Sequence, residues 1–168
     1  MITLFYENYE IPKNTYEYCL KNFMYPNYDK VPKDTIYHNT HLEYIDSIAH
    51  KGILVSKVKQ LEYQGNMIWA STLPNQKGYG GVTVAFNLNN INNYEKVNNE
   101  QYCIYQDIPI KNIIFFDLPV CASNNISSPY RLSDILRLVK KHGKEKVITI
   151  TNKMNVQYIP IETVLKYI

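Results

Sequence analysis

The chain has 168 residues, 45% of them hydrophobic and 20% charged, with a net charge of +3. That is one domain's worth of sequence with enough apolar material for a core, and it excludes a disordered tail. The longest apolar run is a few residues, so no membrane span is expected. An excess of three positive charges gives no reason to expect a duplex-binding surface, which takes a clustered basic stripe.

The N-terminus has neither a basic flank nor an apolar stretch of the kind a signal peptide needs, and the expected location is the cytoplasm. Cys19, Cys103 and Cys121 form an odd set without CxxC spacing, which argues against a disulfide framework and a zinc site. Sixteen residues are Tyr, rings whose faces pack and whose hydroxyls seek partners.

Residues 1–35 read as a Tyr- and Pro-punctuated extension with a short helix over Thr15–Phe23. Ile36-Tyr37-His38 reads as a strand running into a turn. Thr40 then starts a helix through a Thr40-x-x-Glu43 capping box. Leu42, Ile45, Ile48 and Ala49 share one face of that helix, and Gly52 closes it. Gly65-Asn66 predicts a turn, Met67–Ser71 a strand, and Pro74 a short turn or helix as far as Gly80. Val82–Phe86 is a strand and Asn87–Asn99 a surface loop, because Asn competes with regular structure. Gln101–Tyr105 and Ile113–Phe116 are strands. Arg131–His142 is an amphipathic helix ended by Gly143. Lys146–Thr151 reads as a buried strand, and a last helix starts near Pro160. Short strands without regular βαβ alternation predict an α+β fold.

Four segments carry candidate chemistry. His38, with Asn39 and Thr40 beside it, can offer an imidazole and a hydroxyl to a ribose. Trp69 and Ser71, two apart on a strand, share a face, so a ring could stack on a planar ligand next to a hydroxyl. Gln76-Lys77-Gly78-Tyr79-Gly80-Gly81 could form a flap, though it is neither a dinucleotide fingerprint nor a P-loop. Gln101 opens a strand with Glu100 just before it. Cys103 and Tyr105 lie on the Gln101 face, and Glu100 and Tyr102 on the other. Each segment has an ordinary alternative: a histidine satisfied by backbone, a core tryptophan, a glycine turn, and a strand-edge polar pair in water.

The order of these pieces resembles the ADP-ribosyltransferase fold family. Ile-Tyr-His-x-Thr leads to a helix ending in Lys-Gly-Ile-Leu. Ile-Trp-Ala-Ser-Thr-x-Pro and Gly-Tyr-Gly follow, then Gln-Tyr-x-Ile-Tyr-x-Asp-Ile-Pro. The resemblance covers about residues 36–116. It implies a split antiparallel β-sheet core with flanking helices, in a single domain over 1–168. Residues 117–168 would be a helix–strand–helix part of that domain.

By that resemblance NAD is the substrate, and no metal is expected. His38 would hold the nicotinamide-side ribose, with Asn39 and Thr40 beside it. Trp69 would stack on nicotinamide, Ser71 would supply the hydroxyl, and Tyr79 would stack from the other side. Gln101 falls in the slot of the family's catalytic Glu. A neutral amide can accept a hydrogen bond there but brings no charge to an oxocarbenium-like state, a loss of about 3 kcal/mol. Glu100 could replace it only through a bulge.

The implied activity is mono-ADP-ribosylation of a macromolecule, a protein before a nucleic acid, in the manner of a phage or bacterial effector. A silent relative that binds a nucleotide or protein is one alternative. An RNA 2′-phosphotransferase is another, weakened because Arg131 and Arg137 both lie outside the matched region.

Overall fold

The computed structural model describes residues 11–60, 63–75, 79–123 and 129–168, and the side chains of all of these except 56–65. Seven strands pair antiparallel in one sheet: β1 (Ile36–Thr40), β2 (Ser56–Gln60), β3 (Tyr63–Ser71), β4 (Val82–Phe86), β5 (Tyr94–Lys96), β6 (Gln101–Ile104) and β7 (Ile113–Asp117). Their order is β5-β6-β3-β1-β4-β7, and β2 pairs with β3. A second antiparallel sheet orders β10 (Val156–Gln157), β8 (Pro119–Ala122) and β9 (Tyr130–Arg131). Five helices complete the described chain: α1 (Lys13–Asn22), α2 (Ile45–Lys51), α3 (Leu132–His142), α4 (Lys144–Thr151) and α5 (Ile161–Leu165). The class is α+β, with a mostly antiparallel sheet.

Paired residues of an antiparallel ladder share a face, and neighbours along a strand alternate. One face of the large sheet carries Ile36, Ile68, Ala70, Val82, Val84, Phe86, Ile104 and Phe116, all in the main apolar cluster. That cluster also takes in Tyr16 and Leu20 of α1, Ile45 and Ile48 of α2, Ile135 of α3, Val147 of α4 and Val164 of α5. The opposite face holds a smaller cluster of Tyr37, Ala85 and Phe115. Tyr28 and Val31 of the segment after α1 pack on it.

Several expectations are corrected. Thr40 does not cap a helix; it is the last residue of β1. A 3-10 turn over Leu42–Tyr44 follows, and α2 begins at Ile45 with no side-chain cap. Pairing of Thr40 with Val82 of β4 holds it in the strand and outweighs the local capping signal. The Leu42–Ala49 face is nonetheless buried. Gly52 ends α2 at φ +82, where a Cβ would lie 2.2 Å from the Ile108 carbonyl oxygen, and the next residue, Ile53, pairs with Ile108.

Gly65 and Asn66 form no turn: they lie inside β3, opposite Val58 and Lys57, and Gln60 pairs with Tyr63. The Asn-rich segment contains the edge strand β5, exposed at all three residues. The expected strand at Lys146–Thr151 is helix α4. Residues 117–168 therefore hold β8, β9, α3, α4, β10 and α5 rather than helix–strand–helix. Strand propensity yields to packing. Val147 and Thr151 are four apart, both buried, and the Thr151 hydroxyl donates to the Val147 carbonyl at 2.9 Å.

Candidate functional site

β1, β3 and β6 carry most of the expected site residues, divided between the two faces of the sheet. Tyr37 of β1 stands opposite Ser71 of β3, and Ser71 stands opposite Gln101 of β6. Trp69 pairs with Cys103 one step along. On the other side of β1, Asn39 pairs with Thr83, which pairs with Asp117. Alternation therefore puts Asn39, Trp69, Ser71 and Gln101 on one face, the face on which Tyr28 packs. His38 and Thr40 leave β1 on the core face, opposite Val84 and Val82. The imidazole and the indole thus start from opposite faces.

His38 lies within β1, not at its end. Tyr37–Ser71 is the registered pair between β1 and β3. Beside it, His38 Nδ1 lies 2.7 Å from the Trp69 carbonyl oxygen. A carbonyl only accepts, so Nδ1 carries the proton and Nε2 presents a lone pair. Burial holds the imidazole below its ordinary pKa, against the opposing pull of that hydrogen bond. The ring is neutral at pH 7 and spans the junction of the two strands.

Around Asn39 the polar groups form a chain. Asn39 Nδ2 donates to Thr83 Oγ1 at 3.3 Å, and Thr83 Oγ1 donates to Asn75 Oδ1 at 2.6 Å. Asn39 Oδ1 is buried without a partner among the described residues. Trp69 is half-buried, and the Leu73 N–H donates to Ser71 Oγ at 3.0 Å. Gln101 is exposed, and its Oε1 accepts from Asn98 Nδ2 at 2.9 Å. Glu100 is also exposed, precedes β6, and its carbonyl accepts from the Thr72 N–H at 2.8 Å. It sits in a bend rather than in the strand, so the strand's alternation does not extend to it. Cys103, fully buried, has its thiol pushed up by burial and is a poor nucleophile.

The Pro74–Gly80 segment forms no helix among its described residues, and Gln76, Lys77 and Gly78 lie outside them. Gly80, at φ +111, touches the end of β1 so closely that a Cβ would sit 2.1 Å from the Thr40 carbonyl oxygen. This contact ties the segment after β3 to the strand of His38. Tyr79, next to it, is 51% exposed.

Sequence reasoning missed Asp117. Its carboxylate is wholly buried at the end of β7. It accepts from the Tyr28 hydroxyl at 2.7 Å, the Ser133 N–H at 3.0 Å and the Ser133 hydroxyl at 2.7 Å. It therefore ties the segment after α1 to the start of α3. Burial raises its pKa, opposed by those hydrogen bonds and by the charge of Arg131. An Asp closing the apolar run Ile-Ile-Phe-Phe-Asp was the signal available.

No known family, curated protein or solved structure matches the chain. Among the described residues, no helix is long and apolar enough to cross a membrane. Likewise, no three His, Cys, Asp or Glu side chains among them gather to hold a metal ion.

Proposed function

We propose that the chain has an ADP-ribosyltransferase-like fold. It binds NAD where β1 meets β3 and transfers ADP-ribose to a macromolecular acceptor. The observation that carries this reading is the neutral His38 imidazole bridging the two strands. Its Nε2 lone pair suits a ribose hydroxyl. The grouping of Asn39, Trp69, Ser71 and Gln101 on one face adds an aromatic ring, a buried amide acceptor and a hydroxyl for a carboxamide-bearing pyridine. The ligand would bend around the strand junction, since imidazole and indole start from opposite faces. In the reaction, the bond between nicotinamide and the anomeric ribose carbon breaks, nicotinamide leaves, and an acceptor nucleophile bonds to that carbon.

Gln101 favours a second reading, a relative that binds the dinucleotide without turning it over. It carries no charge, and its amide is engaged by Asn98. Isothermal titration with NAD tests the site. Loss of one hydrogen bond or stacked ring worth ~1.5 kcal/mol weakens binding about tenfold, so His38→Ala and Trp69→Ala should each do so. Unchanged affinity in both variants removes the site. Nicotinamide release, followed by chromatography, separates the readings. Release by the unaltered chain supports transfer, whereas release only after Gln101→Glu supports the silent binder.

A further inference from the structure

Positive charge is concentrated in one stretch. Residues 137–153 contain Arg137, Lys140, Lys141, Lys144, Lys146 and Lys153 against one acid, Glu145. That is a local net of +5 in a chain whose total is +3, so the remainder is net −2. The fold places this stretch on two helices in contact and on the residues just after them. Arg137, Lys140 and Lys141 share a face of α3 at i, i+3 and i+4. Gly143 breaks the chain into α4, and α3 packs against α4. All six cations are exposed. Arg137 is engaged by Asp134, and Lys144 Nζ donates to the Leu165 and Ile168 carbonyls at 3.2 and 2.9 Å. Lys140, Lys141, Lys146 and Lys153 pair with no described carboxylate.

Helix stability accounts for part of this pattern. Lys140 and Lys141 lie in the last turn of α3, where the helix dipole favours cations. Lys144 is spent on the carbonyls of Leu165 and Ile168, but neither role accounts for Lys146, which lies in the first turn of α4, where the dipole disfavours it. The absence of apolar anchors narrows the partner. None of the large hydrophobic side chains exposed among the described residues belongs to α3, α4 or the residues that carry these cations. A protein interface is built around an apolar or aromatic centre, and an amphipathic membrane contact needs an inserted apolar face. Single-strand binding uses exposed aromatics for stacking. A duplex phosphate backbone requires only closely spaced cations.

We propose that the α3–α4 pair docks the phosphate backbone of a duplex nucleic acid, with Lys140, Lys141, Lys146 and Lys153 making the contacts. Docking here does not depend on NAD, so it stands or falls separately from the nucleotide reading. The test is fluorescence anisotropy of the full chain with labelled 20-base-pair DNA and RNA duplexes, without NAD, across a salt series. Four neutralised phosphates give a log–log salt slope near −4, by about −0.9 each. Lys140→Glu/Lys141→Glu and Lys146→Glu/Lys153→Glu should each weaken binding at least tenfold and flatten the slope by ~2. Lys96→Glu/Lys111→Glu makes the same change of net charge elsewhere and should leave affinity within about twofold. Circular dichroism confirms that the variants fold, and Lys140→Gln/Lys141→Gln serves if a charge reversal does not. Any of three results overturns the assignment: no duplex binding at low salt, equal loss in the Lys96/Lys111 variant, or equal or tighter binding of polyglutamate or phosphatidylserine vesicles.

Discussion

Two buried titratable groups work in opposite directions on stability. His38 has a folded pKa below its ordinary value of 6.5. As pH falls through 6.5, the unfolded chain takes up a proton that folded His38 refuses, so its contribution is present above that pH and lost below it. Asp117 has a folded pKa above its ordinary value. Between the two values the folded state holds the extra proton, so stability falls as pH rises through that window. Denaturation midpoints measured against pH should show each slope removed by its own substitution: the slope below pH 6.5 by His38→Gln, and the loss above the ordinary carboxylate range by Asp117→Asn. Unaltered slopes in both variants would mean that neither group titrates as its burial requires. The residue types at the candidate site were legible in the chain, because His38 and Trp69 stand in recognisable strands. Their opposite faces were not, since alternation gives sides only once the partner strands and register are known.

At the scale of elements, local signals succeeded where one helix or strand decides its own burial. The Leu42–Ala49 face, Val82–Phe86 and the amphipathic run of α3 are examples. They failed where a neighbour decides. The capping box at Thr40 lost to the β1–β4 ladder, and the β-branched run of α4 lost to the packing of Val147 and Thr151. The connection after β3 provides a check on how this neighbourhood is held. Gly80→Ala places a Cβ against the Thr40 carbonyl at a positive φ, a strain of about 1–3 kcal/mol before the clash is counted. It should lower the melting temperature by ~5 °C, at roughly 2–4 °C per kcal/mol for a chain of this size. A melting temperature unchanged within 1 °C would show that the contact can relax freely.

Across the whole molecule, α1, well before β1 in sequence, is part of the main core. Tyr16 is fully buried and its hydroxyl donates to the Pro119 carbonyl at 2.7 Å, across 103 residues of sequence. Tyr16→Phe removes this buried hydrogen bond, a cost of about 1–2 kcal/mol. Tyr16→Ala also opens a cavity and should cost about 3–5 kcal/mol, by analogy with other large aromatic deletions. Urea denaturation should show this ranking; two near-neutral variants would make α1 a dispensable appendage. Charge behaves similarly. A net of +3 conceals a stretch of +5, and the placement of Lys144 and Lys146 in the first turn of a helix follows from α4 being one, which the residues alone misread.

By itself the sequence determined the α+β class, the positions of α1, β1, β4, β7, α3 and α5, and the residue types available for chemistry. Those depend on hydrophobic period, glycine and proline, which act within a few residues. Tertiary structure alone decided that α4 is a helix, that a second sheet forms, that Asp117 ties the segment after α1 to α3, and that His38 and Trp69 emerge on opposite sides of the sheet. Each of these rests on register or packing between segments tens of residues apart. There the free energy of burial, summed over many contacts, exceeds any local preference of the chain.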